Sequence, residues 1–171
     1  IKSIDALNSP IVTTNYDTLI EETTGRPYVS WKEPSFAQKV LKGDDRGVFH
    51  LHGVWRDPSS VVLGIQSYER LLRNEFVQTL IQSGFFFKSI LFIGFGAGLR
   101  DPNFEKLREW LRRILPTSQY RHFRLVLKAE LENVRQEHTS EEQIFPLSFG
   151  EEYTDLPTFL TQLKPPSSLS S

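Results

Sequence analysis

Apolar residues in this chain come in short β-branched runs separated by longer stretches of three- and four-residue periodicity, which predicts strands alternating with helices. Ile11–Thr14 (IVTT), preceded by Ser-Pro, predicts a buried strand, and DTLIEE over Asp17–Glu22 a helix stopping before Gly25 and Pro27. Residues 26–47 carry Trp31, two prolines and a Gly-Asp-Asp turn, and read as mostly irregular with one short helix at most. Val48–Leu51 (VFHL) is a second strand, WRDPSS a turn, and VVLGI a third extended piece. Tyr68, Leu71, Leu72, Phe76, Leu80 and Ile81 predict one helix over Gln66–Ser83, closed by Gly84. Ser89–Gly94 reads as a strand, and Asp101-Pro102 as the start of a further helix with Asp101 at its N-cap. His122–Leu127 and Ile144–Phe149 predict strands, Ala129–Glu137 and Leu156–Leu163 helices, and KPPSSLSS at 164–171 a solvated linker or tail.

This alternation defines an α/β protein with a largely parallel, Rossmann-like sheet flanked by helices, expected to form one domain over 1–163. Ligands of such sheets bind beyond the carboxyl ends of the strands. Asn15, His52 and the glycines after Ile93 all follow directly on predicted strands, so all three are candidates for one edge.

Composition narrows the picture. The 171 residues are 39% hydrophobic and 24% charged with formal net charge -1, as in a globular protein with no basic field for nucleic acid or acidic lipid. No apolar run approaches the roughly 18 residues needed to span a bilayer. The chain has no cysteine, which removes disulfides and thiolate zinc sites and is compatible with a reducing cytoplasm. It also has no methionine, position 1 included, so the sequence is expected to be part of a longer chain.

Each candidate residue has an ordinary reading beside a functional one. Glycines 94, 96 and 98 after a strand approach a dinucleotide fingerprint, but Leu99 breaks the G-x-G-x-x-G spacing, and a tight strand-to-helix turn explains them equally well. His50 and His52 lie two apart, without a nearby third ligand for a metal, so no metal site is expected. A histidine at a strand end is either a hydrogen-bonded structural residue or a general base, and spacing does not choose between them. Asp17 suits a helix cap, whereas Asn15 fits that role less easily and offers an amide that donates and accepts together. The acidic and basic clusters on the later helices read as solvated faces.

Taken in order, TTNYDTLIE, HLHG, ILFIGFG with DPNF, and SFGEEYTDLPTFL resemble the sirtuin family, and more narrowly the sirtuin-like NAD-consuming domains of bacterial anti-phage defence proteins. The resemblance spans roughly residues 10 to 163. It implies catalytic roles for Asn15, Asp17 and His52. It also implies cofactor contacts from Thr14, Asn15, Gly94, Phe95, Gly96 and Asp101. Three departures bear on function. Deacylating sirtuins carry a four-cysteine zinc module after the His-Gly, and this chain has neither cysteine nor room for it, so no zinc is expected. Gly96 stands where a serine is usual. The family's opening strand and pyrophosphate-cradling Gly-Ala-Gly loop are expected before residue 1.

The resemblance therefore implies an NAD+ glycohydrolase that releases nicotinamide and ADP-ribose to deplete NAD+ in abortive infection. Such an enzyme is expected to be cytoplasmic, with NAD+ as substrate and with self-assembly or an attached sensor domain as its gate, and with neither nucleic acid nor membrane as a direct partner. The alternatives are an NAD-dependent protein deacylase and a catalytically inactive nucleotide-binding or assembly module.

Overall fold

The computed structural model describes residues 1–94, 120–138 and 143–163. The chain is α/β and divides into two compact units, Ile1–Val62 joined by the segment from Thr154 onward, and Leu63–Tyr153. Each unit is built on its own three-stranded parallel sheet.

In the first unit the elements run α1 (Lys2–Asp5), β1 (Ile11–Thr13), α2 (Leu19–Thr24), β2 (Tyr28–Ser30), α3 (Pro34–Lys42) and β3 (Val48–His50). The strand order is β1-β3-β2, so β3 is central and covered on both faces, and Val48, Phe49 and His50 are all buried. This explains why VFH reads as a continuous buried run rather than an alternating one. Pro34 opens α3 and Gly43 closes it in the left-handed region, while Ala37 and Val40 form its buried face. Arg26, itself buried, reaches from the α2–β2 turn to Asp5, with Nε and Nη2 both 2.6 Å from Oδ1. After a 3-10 turn at Pro58–Ser60 the chain leaves this unit, and it returns in the last described helix (Leu156–Gln162), which packs on α1 with Leu160 buried.

The second unit opens with α4 (Gly64–Leu72) and α5 (Glu75–Phe87), followed by β4 (Leu91–Phe92) and β5 (His122–Leu127). It closes with α6 (Leu131–Glu137) and β6 (Ile144–Gly150). The strand order is β4-β5-β6. We name the terminal helix Leu156–Gln162 α7. Val134 seats α6 against β5 and β6. Arg124 and His122 are buried polar residues on β5, and Arg124 Nη1 lies 3.0 Å from Glu137 Oε2.

Several sequence expectations are corrected. The single helix over Gln66–Ser83 is two helices, because the Asn74 side chain accepts a hydrogen bond from Val77 N (3.2 Å) and caps a new start. Gly84 lies inside α5 rather than ending it. VVLGI is not extended throughout, since Gly64 opens α4. Residues 26–47 are not mostly irregular: they hold β2 and a nine-residue helix. The strand expected over Ser89–Gly94 reduces to Leu91–Phe92. The helix expected from Asp101 lies outside the described residues.

Candidate functional site

The opening unit places Asn15 and His52 at neighbouring strand ends. β1 and β3 pair in parallel with Thr13 opposite His50, and Leu51 N donates to Thr13 O (2.9 Å), so the ladder continues one bond past the strands. Asn15 and His52 follow two residues beyond that last pair, at the carboxyl edge where parallel sheets hold ligands. Asn15 is exposed, and its backbone N–H donates to Thr13 Oγ1 (3.1 Å). Thr14 is half-buried. Asp17 is exposed and its Oδ1 accepts from Leu19 N (3.1 Å), so its contact is the ordinary one of a helix start.

His52 is only 8% exposed. Its ring lies 6.4 Å from the Tyr16 ring, tilted by 37°. Tyr16 Oη donates to Val62 O (2.7 Å), and Val62 N donates to His52 O (2.9 Å), so tyrosine and histidine share one anchor. Gly53 takes φ +83°, and a Cβ there would collide with the Ser60 backbone. The turn after it is fastened to the loop carrying Asn15, because Trp55 N donates to Tyr16 O (2.9 Å), and to α2, because the Arg56 guanidinium sits 3.3 Å from Glu22 Oε1. Trp55 is 54% exposed with Arg56 stacked 4.7 Å over its ring. Trp31 braces the far side, donating from Nε1 to Ser60 O (2.8 Å).

His50 and Glu21 are contributors that sequence reasoning missed. His50 is fully buried, with Nδ1 2.9 Å from Asn15 O and Nε2 2.6 Å from Glu21 Oε1. Glu21 is buried on α2 while its neighbour Glu22 is exposed. The available signal was helical phase: in LIEETT only one of two adjacent glutamates can face the sheet.

The remaining candidates are Gly94, Phe95, Gly96 and Asp101. Gly94 belongs to the second unit, where it follows β4 with φ +77° and open space around the position of a Cβ. Phe95, Gly96 and Asp101 lie outside the described residues. Asn15, Asp17 and His52 are thus brought to one edge, with His50 and Glu21 beneath them. Among the described residues no group of three or more His, Cys, Asp or Glu is placed to hold a metal ion. None of the described helices is long and apolar enough to cross a membrane.

The parallel strands thus carry an exposed amide and a buried imidazole at the carboxyl edge, where α/β sheets bind ligands. Residues 9–147 match the family model described as SIR2-like domain, and the chain belongs to that family. The match bears out the sirtuin-like resemblance of the motifs within residues 9–147, and with it an NAD-related function, while SFGEEYTDLPTFL follows the matched residues.

Proposed function

We propose that this chain cleaves NAD+ to nicotinamide and ADP-ribose. The observation that carries the reading is the juxtaposition of Asn15 and His52 at the paired ends of β1 and β3. Hydrolysis breaks the bond between nicotinamide and ribose, adds water at the ribose carbon and releases one proton. His52 has the chemistry to accept that proton, from water or from a ribose hydroxyl, at neutral pH. The exposed amide of Asn15 donates and accepts, and so orients the water or the ribose hydroxyls. Asp17 holds the start of α2 and thereby the loop on which Asn15 stands. The resemblance assigns further nucleotide contacts to Thr14, Gly94, Phe95, Gly96 and Asp101. Trp55, exposed just past the base, walls the nicotinamide side.

Hydrolysis is favoured over protein deacylation because the chain has no cysteine with which to build a zinc module after His52-Gly53. Only ten residues, 54–63, separate Gly53 from the start of α4 at Gly64. The biological setting we assign is cytoplasmic depletion of NAD+ in antiviral defence, gated by self-assembly or by an attached sensor. Nicotinamide release from NAD+ by the full-length protein, compared with its His52→Ala variant, tests the reading. An inactive nucleotide-binding module would bind NAD+ and release nothing.

A further inference from the structure

The buried pair beneath the strand ends takes no part in the chemistry above, and its geometry gives it a different task. The Asn15 carbonyl can only accept a hydrogen bond, so His50 Nδ1, 2.9 Å away, carries a hydrogen. One further proton then lies between His50 Nε2 and Glu21 Oε1, because two bare acceptors 2.6 Å apart would repel. Wherever that proton resides, the contacts run from α2 through β3 to the peptide of Asn15. They fix that peptide against the strand whose continuation carries His52.

Stability alone accounts poorly for this arrangement. Glu21 Oε2 is buried without a hydrogen-bond partner among the described residues, and a buried carboxylate so placed is costly. A leucine–phenylalanine pair of similar volume would fill the space without that cost. We infer that His50 and Glu21 form a positioning latch, which sets the Asn15 loop at a fixed distance from His52. Its kinetic consequence rests on the hydrolase reading, whereas its geometry does not.

The test is made in the full-length protein with the double variant His50→Phe/Glu21→Leu, which replaces the pair by apolar side chains, and with Glu21→Gln, which keeps a donor to Nε2. Two quantities are read. One is kcat and KM for nicotinamide release. The other is hydrogen exchange at the Trp55 amide, whose bond to Tyr16 O reports whether the Asn15 loop is held. The latch predicts a double variant that melts within a few degrees of wild type yet loses at least about tenfold in kcat, with a smaller change in KM. Its Trp55 amide exchanges about tenfold faster, and Glu21→Gln recovers most of the kcat. Wild-type turnover and wild-type exchange in the double variant would overturn the latch. If the double variant does not fold, Glu21→Leu set against Glu21→Gln makes the same comparison. If the wild-type protein releases no nicotinamide, the hydrolase reading fails by itself. The exchange rate then decides, faster exchange supporting the latch and unchanged exchange overturning it.

Discussion

A Cβ on Gly53 would lie 2.1 Å from the Ser60 carbonyl oxygen and 2.7 Å from Val61 N, so the chain after His52 folds back onto a position that only glycine can occupy. Two effects combine there, the positive φ and the contact with backbone, and Gly25 separates them. Gly25 has a similar φ of +71° at the end of α2 but nothing within 4 Å of the Cβ position. Gly25→Ala is expected to cost about 1 kcal/mol, from backbone conformation alone. Gly53→Ala adds a clash that must displace the Ser60–Val61 segment, and is expected to cost about 2–4 kcal/mol. Urea denaturation of both variants measures the difference, and equal losses would show that the close approach is not maintained in solution.

The second unit should weaken on mild acidification. His122 is fully buried on β5, and its Nδ1 accepts from Ile90 N (3.2 Å), which requires the neutral ring. Burial pushes its pKa down from 6.5 to about 4. In the unfolded chain the ring takes up a proton near its ordinary value, whereas the folded chain resists until about pH 4. Stability from this group is therefore complete above about pH 6.5 and falls as pH drops toward 4, by about 3 kcal/mol in total. His122→Asn keeps an acceptor for Ile90 N without the titration. The pH dependence of unfolding between pH 4 and 7, taken as wild type minus variant, should show that fall, and a flat difference would contradict it.

Asp5 and its two arginines should be unequal in worth. Partial burial works to raise the Asp5 carboxyl, but hydrogen bonds and charge from Arg26 and Arg46 outweigh it and hold the pKa below its ordinary value. The Arg26 side chain is 4% exposed and that of Arg46 63%. Asp5→Asn leaves a buried guanidinium short of its counter-charge and is expected to cost about 2–3 kcal/mol. Arg46→Ala removes an exposed contact and is expected to cost less than about 0.5 kcal/mol. Because the carboxyl is held low, this contribution is present above its ordinary pKa near 3.8 and is lost as pH falls through the lower folded value. Thermal denaturation at pH 7 of the two variants checks the ranking.

The parts of the fold legible in the sequence were those with a strong local signal. IVTT, VFHL and HFRLVL announce strands because β-branched and aromatic residues run together between turn formers, and the structure has β1, β3 and β5 there. Tyr28–Ser30 was missed because three residues show no alternation, and what marks the segment as sheet is its pairing with β3, a contact made only in the folded chain. The break at Asn74 was missed because apolar spacing continues across it, while the cap that divides the helices is a single side chain. At the candidate site, the positions of Asn15 and His52 followed from strand ends alone. The parts played by His50 and Glu21 did not, since their pairing spans 29 residues and depends on which face of α2 turns inward. The exposure of Trp55 and its stacking with Arg56 required the folded turn.

The most direct test of the account is nicotinamide release from NAD+ by the full-length protein, followed by chromatography beside its His52→Ala and Asn15→Ala variants with no acylated peptide present. Wild type is expected to release nicotinamide and ADP-ribose in equal amounts. Losses of about 100-fold or more are expected in each variant, with nucleotide binding retained. No release from the wild-type protein, or release that His52→Ala leaves unchanged, would contradict the hydrolase reading.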